Sequence, residues 1–360
     1  MGTTKIDIRA LTLPELSEWA ENRGLPVYRA KQIYEWLWIK SAVDFDAMTN
    51  LPAALREEME NEFTINTIRV DRMQRSTDGT IKNAVKLHDD RVVESVLIPT
   101  DTRITACVSS QVGCSLDCNF CATARLKRMR NLQADEIYDQ VVTIHRQAEH
   151  YFNRPLTNIV FMGMGEPLLN YAEVLRAIDR ITAGDGLNMA SRRITLSTVG
   201  IPKIIRKMAD DGVKFNLAVS LHSAIDEIRS TIMPINRVNP LNDLMDALQH
   251  WYTQTRRRIT FEYVVWKGIN DNESSINALV KYAKQIPSKV NLIQYNSIDD
   301  PRFQQADAEW VERYREALND AGIIAVVRQS RGSDIDAACG QLANKEGEEG
   351  VSNLENSNSK

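Results

Sequence analysis

No run of the 360 residues approaches the ~20 consecutive apolar positions of a membrane-spanning helix, and nothing at the start reads as a secretory leader. A cytoplasmic protein is therefore expected. Excess positive charge is also missing. The 44 lysines and arginines stand against 48 aspartates and glutamates, a formal net charge of −4, so any contact with nucleic acid has to come from local patches. Cysteine is scarce and odd in number, five in all, which argues against a permanent disulfide framework. Histidine is as scarce, and the cysteine loop has no second CxxC or HxxxH unit nearby to pair with, so a closed four-ligand zinc site would lack its ligands.

What the chain does have is Cys114-Ser115-Leu116-Asp117-Cys118-Asn119-Phe120-Cys121. Spaced CxxxCxxC on one short loop, three thiolates can serve three irons of a four-iron, four-sulfur cluster and leave the fourth iron without a protein ligand. Cys114, Cys118 and Cys121 are the expected metal ligands. Arg125, Lys127, Arg128 and Arg130 follow directly, where phosphate contacts would position a substrate, whereas Arg256-Arg257-Arg258 reads as a solvated face. The other two cysteines, Cys107 and Cys339, would each pass alone for a small buried hydrophobe.

With 43% hydrophobic and 26% charged residues, the chain is long enough for a barrel-sized domain and a small extra one. Residues 1–63 are expected to form a helical accessory domain, with helices over 13–22, 29–41 and 51–63. Residues 64–99 read as a β-hairpin segment leading into the core, with turns at 76–80 and 88–90 and Glu94 in an apolar strand. From 100 to 342, strands over 104–109, 158–162, 193–197, 215–220, 259–265 and 290–295 alternate with helices over 135–150, 171–183, 201–211, 241–255, 273–285 and 308–321. Such alternation implies an α/β fold with a parallel sheet. Six units are too few to close an eight-stranded barrel, so a partial (β/α)6 TIM-like barrel is expected, with functional residues at the C-terminal strand ends. The Ser/Asn-rich end, 343–360, has nothing to bury and is expected to be a disordered tail.

The cysteine spacing, the Gly-Glu-Pro strand end and the alternation resemble the radical S-adenosylmethionine (SAM) superfamily. Within it, Met162-Gly163-Met164-Gly165-Glu166-Pro167-Leu168-Leu169-Asn170, Ser220-Leu221-His222 and above all Arg331-Gly332-Ser333-Asp334-Ile335-Asp336-Ala337-Ala338-Cys339-Gly340-Gln341-Leu342 resemble the RlmN-type adenine carbon-2 RNA methyltransferases. The resemblance runs from about Leu13 to Leu342. It implies one 4Fe-4S cluster, two SAM molecules per turnover, 23S rRNA and tRNA as substrates and a reducing electron donor such as flavodoxin. It also implies a monomer that uses no membrane. Gly165 and Glu166 would lie near the methionine amino group, with Ser197, Ser220, Leu221, His222 and Asn296 toward the sulfonium and nucleoside.

In the mechanism that the resemblance implies, one SAM methylates Cys339. A radical generated from the second takes a hydrogen from that methyl, and the carbon adds to adenine. Cys107 then attacks the Cys339 sulfur, which frees the base and leaves a transient disulfide, with Glu94 as proton acceptor. The N-terminal helices, carrying Lys31 and Lys40, are implicated in RNA recognition. Two other readings stand beside this one. A sister activity methylates adenine carbon 8, confers antibiotic resistance and shares all five cysteines. A catalytically silent RNA-binding or ribosome-assembly factor would be marked by loss of Cys107 or Cys339.

Overall fold

The computed structural model describes residues 5–344, so most of the expected tail, from 345 onward, lies outside the described residues. A parallel pair, β1 (Ile6–Asp7) with β2 (Phe63–Thr64), closes a helical unit of α1 (Leu13–Glu21), α2 (Tyr28–Trp38) and α3 (Ala53–Glu62). Helix α1 starts where Thr12 and Glu15 cap each other reciprocally, with Pro14 in the first turn where a missing N–H breaks no bond. Leu16, Ala20, Ile33 and Leu37 are buried, while Lys31 and Lys40 stay exposed.

Arg9 fastens this unit to the core. Its buried guanidinium donates to Asp139 at 2.9 and 3.0 Å, to Asp135 at 3.2 Å and to the Asn66 carbonyl. The Asp7 carboxylate accepts from the backbone N–H of Arg9 and of Asn66, each at 2.8 Å. Three carboxylates thus share one cation. Burial pushes the Asp135 carboxyl up to about 7, against the lowering pull of Arg9. A folded pKa above the unfolded value favours the protonated form, so this stabilisation is full at low pH and lost as pH rises through about 7. Asp135→Asn, which cannot ionise, should melt several degrees higher than wild type above neutrality, with the two curves converging in acid. An unchanged difference across pH would contradict this placement.

The core sheet begins with a meander, β3 (Arg69–Arg75), β4 (Ile81–Lys86) and β5 (Val92–Pro99), which continues antiparallel into β6 (Ile104–Cys107). The expected β-hairpin segment is three strands, and they belong to the same ten-stranded sheet as the core. A short antiparallel pair, β7 (Gln111–Val112) and β8 (Arg130–Asn131), brackets the cysteine loop. Helix and strand then alternate through α4 (Ala134–Phe152), β9 (Asn158–Phe161), α5 (Tyr171–Thr182), β10 (Ile194–Thr198) and α6 (Pro202–Asp210). The series continues with β11 (Asn216–Ser220), α7 (Asp226–Ile232), α8 (Leu241–Thr255), β12 (Ile259–Val264), α9 (Glu273–Ala283), β13 (Ser288–Ile293), α10 (Ala308–Asp320) and β14 (Ile324–Arg328).

From β6 onward all neighbours are parallel and lie in chain order across the sheet, as a half-barrel wound in one direction requires. Strand β12 is buried at every position, the mark of a parallel strand covered on both faces. The six expected strands are β6 and β9 to β13. A seventh, β14, extends the sheet, and its pattern hides it: as an edge strand it leaves Ile324, Val326 and Val327 exposed, so no alternation announces it. Among the described residues no helix is long and apolar enough to cross a membrane.

Candidate active site

The cysteine loop leaves the barrel mouth beyond β6 and is tied at its base by the β7–β8 pair and a bridge between Cys114 and Lys127. Cys114, Cys118 and Cys121 line a cavity whose other wall is made of strand ends. Among the described residues no three His, Cys, Asp or Glu side chains converge closely enough to hold a single metal ion. A cluster asks for something else, one thiolate per iron, and three thiols spread along one wall suit it. Burial pushes the Cys114 thiol up to about 11 and the Cys118 thiol well above its ordinary value, so it is a bound metal that would deprotonate them.

Gly165, Glu166, Ser197, Ser220, His222 and Asn296 all line this cavity, as the strand-end rule leads one to expect. Gly165 has φ +94°, and a Cβ there would lie 2.5 Å from Gln111, so the chain can pass only as glycine. The Glu166 carboxylate accepts from the Leu168 N–H at 3.0 Å and the Val199 N–H at 2.9 Å, while burial pushes it up to about 7. Burial also holds the His222 ring neutral, its pKa pulled down to about 3, and Nδ1 accepts from the Val264 N–H at 3.2 Å. Phe120 of the cysteine loop packs edge-on against His222, with centroids 4.8 Å apart, and at a 45° tilt against Trp266, with centroids 5.1 Å apart. Leu221 differs from the expectation. Its side chain is fully buried behind the wall, and its N–H donates to the Glu262 carbonyl at 3.0 Å.

Cys339 lines this cavity and also a second one, which it shares with Cys107, Met162 and Arg328. It therefore stands between the cluster cysteines and Cys107. Its loop is pinned to the residues just after Cys121: the Gly340 carbonyl accepts from the Ala122 N–H at 2.7 Å, and the Leu342 carbonyl from the Thr123 hydroxyl at 2.6 Å. The Asn296 amide donates to the Cys339 carbonyl at 3.2 Å. All five cysteines are free thiols. Cys107 is buried and Cys339 exposed; desolvation around each sulfur raises the pKa of both, and the Arg328 cation opposes it at each.

Glu94 lies outside both cavities. Buried in β5, it sits 3.3 Å from the Lys82 ammonium, and Oε2 accepts from the backbone N–H of Ala343 at 2.8 Å and of Asn344 at 3.2 Å. The basic stretch after the loop divides in two. Arg130 is consumed internally by Asp89 and Glu136, at 2.7 to 3.0 Å, which ties the β4–β5 turn to the start of α4. It is thus not free to meet a phosphate. Arg125, Lys127 and Arg128 remain exposed.

Three further residues shape the site without a sequence signal. Glu262 lines the cavity with Oε1 bonded to Asn291 at 2.8 Å and a buried Oε2 that lacks a hydrogen bond, the Arg328 guanidinium standing 3.6 Å away. Arg229, fully buried, donates to the carbonyls of Val199, Ser220 and Leu221 and so binds the ends of β10 and β11 together.

A three-thiol loop at the mouth of a parallel half-barrel, facing a Gly-Glu strand end, defines a radical SAM core. Residues 108–279 match the radical SAM superfamily, and residues 6–65 match the ribosomal RNA large subunit methyltransferase N-terminal domain. A protein of Flavobacterium psychrophilum that carries the RlmN name is 62% identical over 346 residues, 96% of this chain and 100% of its own length. The dual-specificity RNA methyltransferase RlmN of Geobacter sulfurreducens is 42% identical over 342 residues, 95% of this chain and 93% of its own. The crystal structure of a radical SAM methyltransferase from Sphaerobacter thermophilus superposes with a TM-score of 0.88 at 40% identity, covering 94% of this chain and 99% of that one. The chain belongs to the RlmN family of dual-specificity RNA methyltransferases.

Proposed function

We propose that the protein methylates carbon 2 of adenosine in 23S rRNA and in tRNA, with the methyl group carried on Cys339. One observation supports this most: among the described residues Cys339 is the one thiol common to the cavity walled by the cluster cysteines and the cavity that holds Cys107. An RNA-binding factor without chemistry needs neither.

Carbon 2 of adenine is electron-poor and is no nucleophile toward a sulfonium methyl group, so a polar transfer does not reach it. Cys114, Cys118 and Cys121 would hold the cluster, and Gly165, Glu166, Ser197, Ser220, His222 and Asn296 the SAM. Together these groups supply one-electron chemistry at an aliphatic carbon.

The chain's own residues then divide the work. Cys339 takes the methyl group as a thiolate, the form that Arg328 favours. Once the methyl carbon is bonded to the base, the Cys107 thiolate attacks the Cys339 sulfur. The S–S bond forms, the C–S bond breaks, and the electron pair leaves with the base, whose exocyclic carbon takes up a proton and becomes the methyl group. Glu94 accepts the ring proton after residues 343 and 344 have left its carboxylate. Exposed Arg125, Lys127 and Arg128 offer phosphate contacts beside the cavity. An external donor such as flavodoxin supplies the electron, and the enzyme works as a monomer in the cytoplasm.

Nucleosides from unmethylated 23S rRNA or tRNA, incubated anaerobically with reconstituted protein, SAM and reductant, should contain 2-methyladenosine by mass spectrometry. Finding 8-methyladenosine instead would keep the cysteine roles and move the target carbon. Finding neither would overturn the proposal.

A further inference from the structure

The loop that carries Cys339 is held from outside the barrel, by the β3–β5 meander, at three points. At its entry, Asp78 in the β3–β4 turn accepts the Gly332 N–H at 2.9 Å, while Asp334 reaches back across the same gap. Its oxygens accept from the Ser76 hydroxyl at 2.6 Å and the Thr77 N–H at 3.1 Å. Gly332 has φ +67°, and a Cβ there would stand 2.8 Å from both Ala337 and Thr80, so the turn and the loop touch backbone to side chain. In the middle, Lys82 of β4 donates to the Asp336 carbonyl at 3.4 Å. At the exit, Glu94 of β5 accepts the two N–H groups of residues 343 and 344, and the Asn344 side chain donates to the Val92 carbonyl at 2.7 Å. Lys82 and Glu94 also pair with each other, so the middle and exit points are one buried unit.

The strands of the half-barrel pair with one another in full without the loop. Charged groups spent on backbone amides 250 residues away fix where a loop can be. We propose that Asp78 and Asp334 form an entry clasp whose function is to position the Cys339 thiol between the two cavities, with Lys82 and Glu94 as the exit clasp. Asp78 and Asp334 are positioning residues: neither lines either cavity, and both act through the loop. The clasp also gives the meander a purpose in the reaction proposed above, on which the kinetic part of the test rests.

The test uses cluster-loaded enzyme carrying Asp78→Ala, Asp334→Ala or both. Iodoacetamide, from which a thiolate displaces iodide, labels Cys339, and peptide mass spectrometry reads the rate. Losing a charge-assisted bond from the clasp should raise Cys339 labelling about tenfold in either single variant, with iron content and Tm near wild type. The double variant should be no faster than the faster single one, since both open one clasp. In the methylation assay KM for RNA should hold while kcat falls about tenfold, with more SAM cleaved per methyl group delivered. Labelling at the wild-type rate in both single variants would overturn the proposal. Multiplicative effects in the double variant would overturn the single clasp. Wild-type protein inactive on both RNAs would sink the function proposed above and leave the labelling result to decide this one.

Discussion

Cys339→Ala should abolish RNA methylation, a fall on the order of 10⁴-fold or more, as expected when a covalent carrier is removed and not merely displaced. The position explains the size of the effect. Among the described residues Cys339 is the one thiol that borders both the wall of cluster cysteines and the cavity of Cys107, and its loop is bonded directly to Ala122 and Thr123. No other thiol can stand in, since Cys107 faces only the second cavity. SAM cleavage should stay measurable, because Cys114, Cys118, Cys121 and Glu166 are untouched. Assaying methylated nucleoside and cleaved SAM in parallel checks both halves, and full methylation by this variant would end the account.

Cys107→Ala should fail differently. Methyl loading and bond formation to the base need only Cys339, but release needs a second sulfur to take the place of carbon. The variant should accumulate a covalent protein–RNA adduct, visible as a slow band that resists denaturant and disappears on RNA digestion, while turnover falls to a single event. Burial pushes the Cys107 thiol up, and the Arg328 cation is the nearby group that favours the thiolate the attack requires. Clean multiple turnover without Cys107 would remove it from the mechanism.

The residues differ in how openly the sequence declared them. Cys114, Cys118 and Cys121 are legible because a cluster fixes both ligand type and spacing, and the strand ends because β/α alternation forces Gly165, Glu166, Ser197, Ser220 and Asn296 to one rim. Strand β14 was not legible, since an exposed edge has no inside and outside to alternate, and with it went Arg328 at its end. Glu262 and Arg229 look like ordinary charges in a strand and a short helix, and only the tertiary fold buries them. Arg130 misled for the converse reason. A basic residue beside a site resembles a phosphate ligand until its carboxylate partners, Asp89 and Glu136, appear around it. Leu221 shares a motif with two wall residues, yet its side chain turns away because neighbouring strand-end positions alternate.

The central claim is that the methyl group reaches RNA from Cys339 and not directly from SAM. Protein whose Cys339 bears an isotope-labelled methyl group, given unlabelled SAM, reductant and substrate RNA for one turnover, tests it by mass spectrometry of the nucleosides. The account predicts that the 2-methyladenosine formed first carries the label. Unlabelled product, with the label still on Cys339, would contradict it.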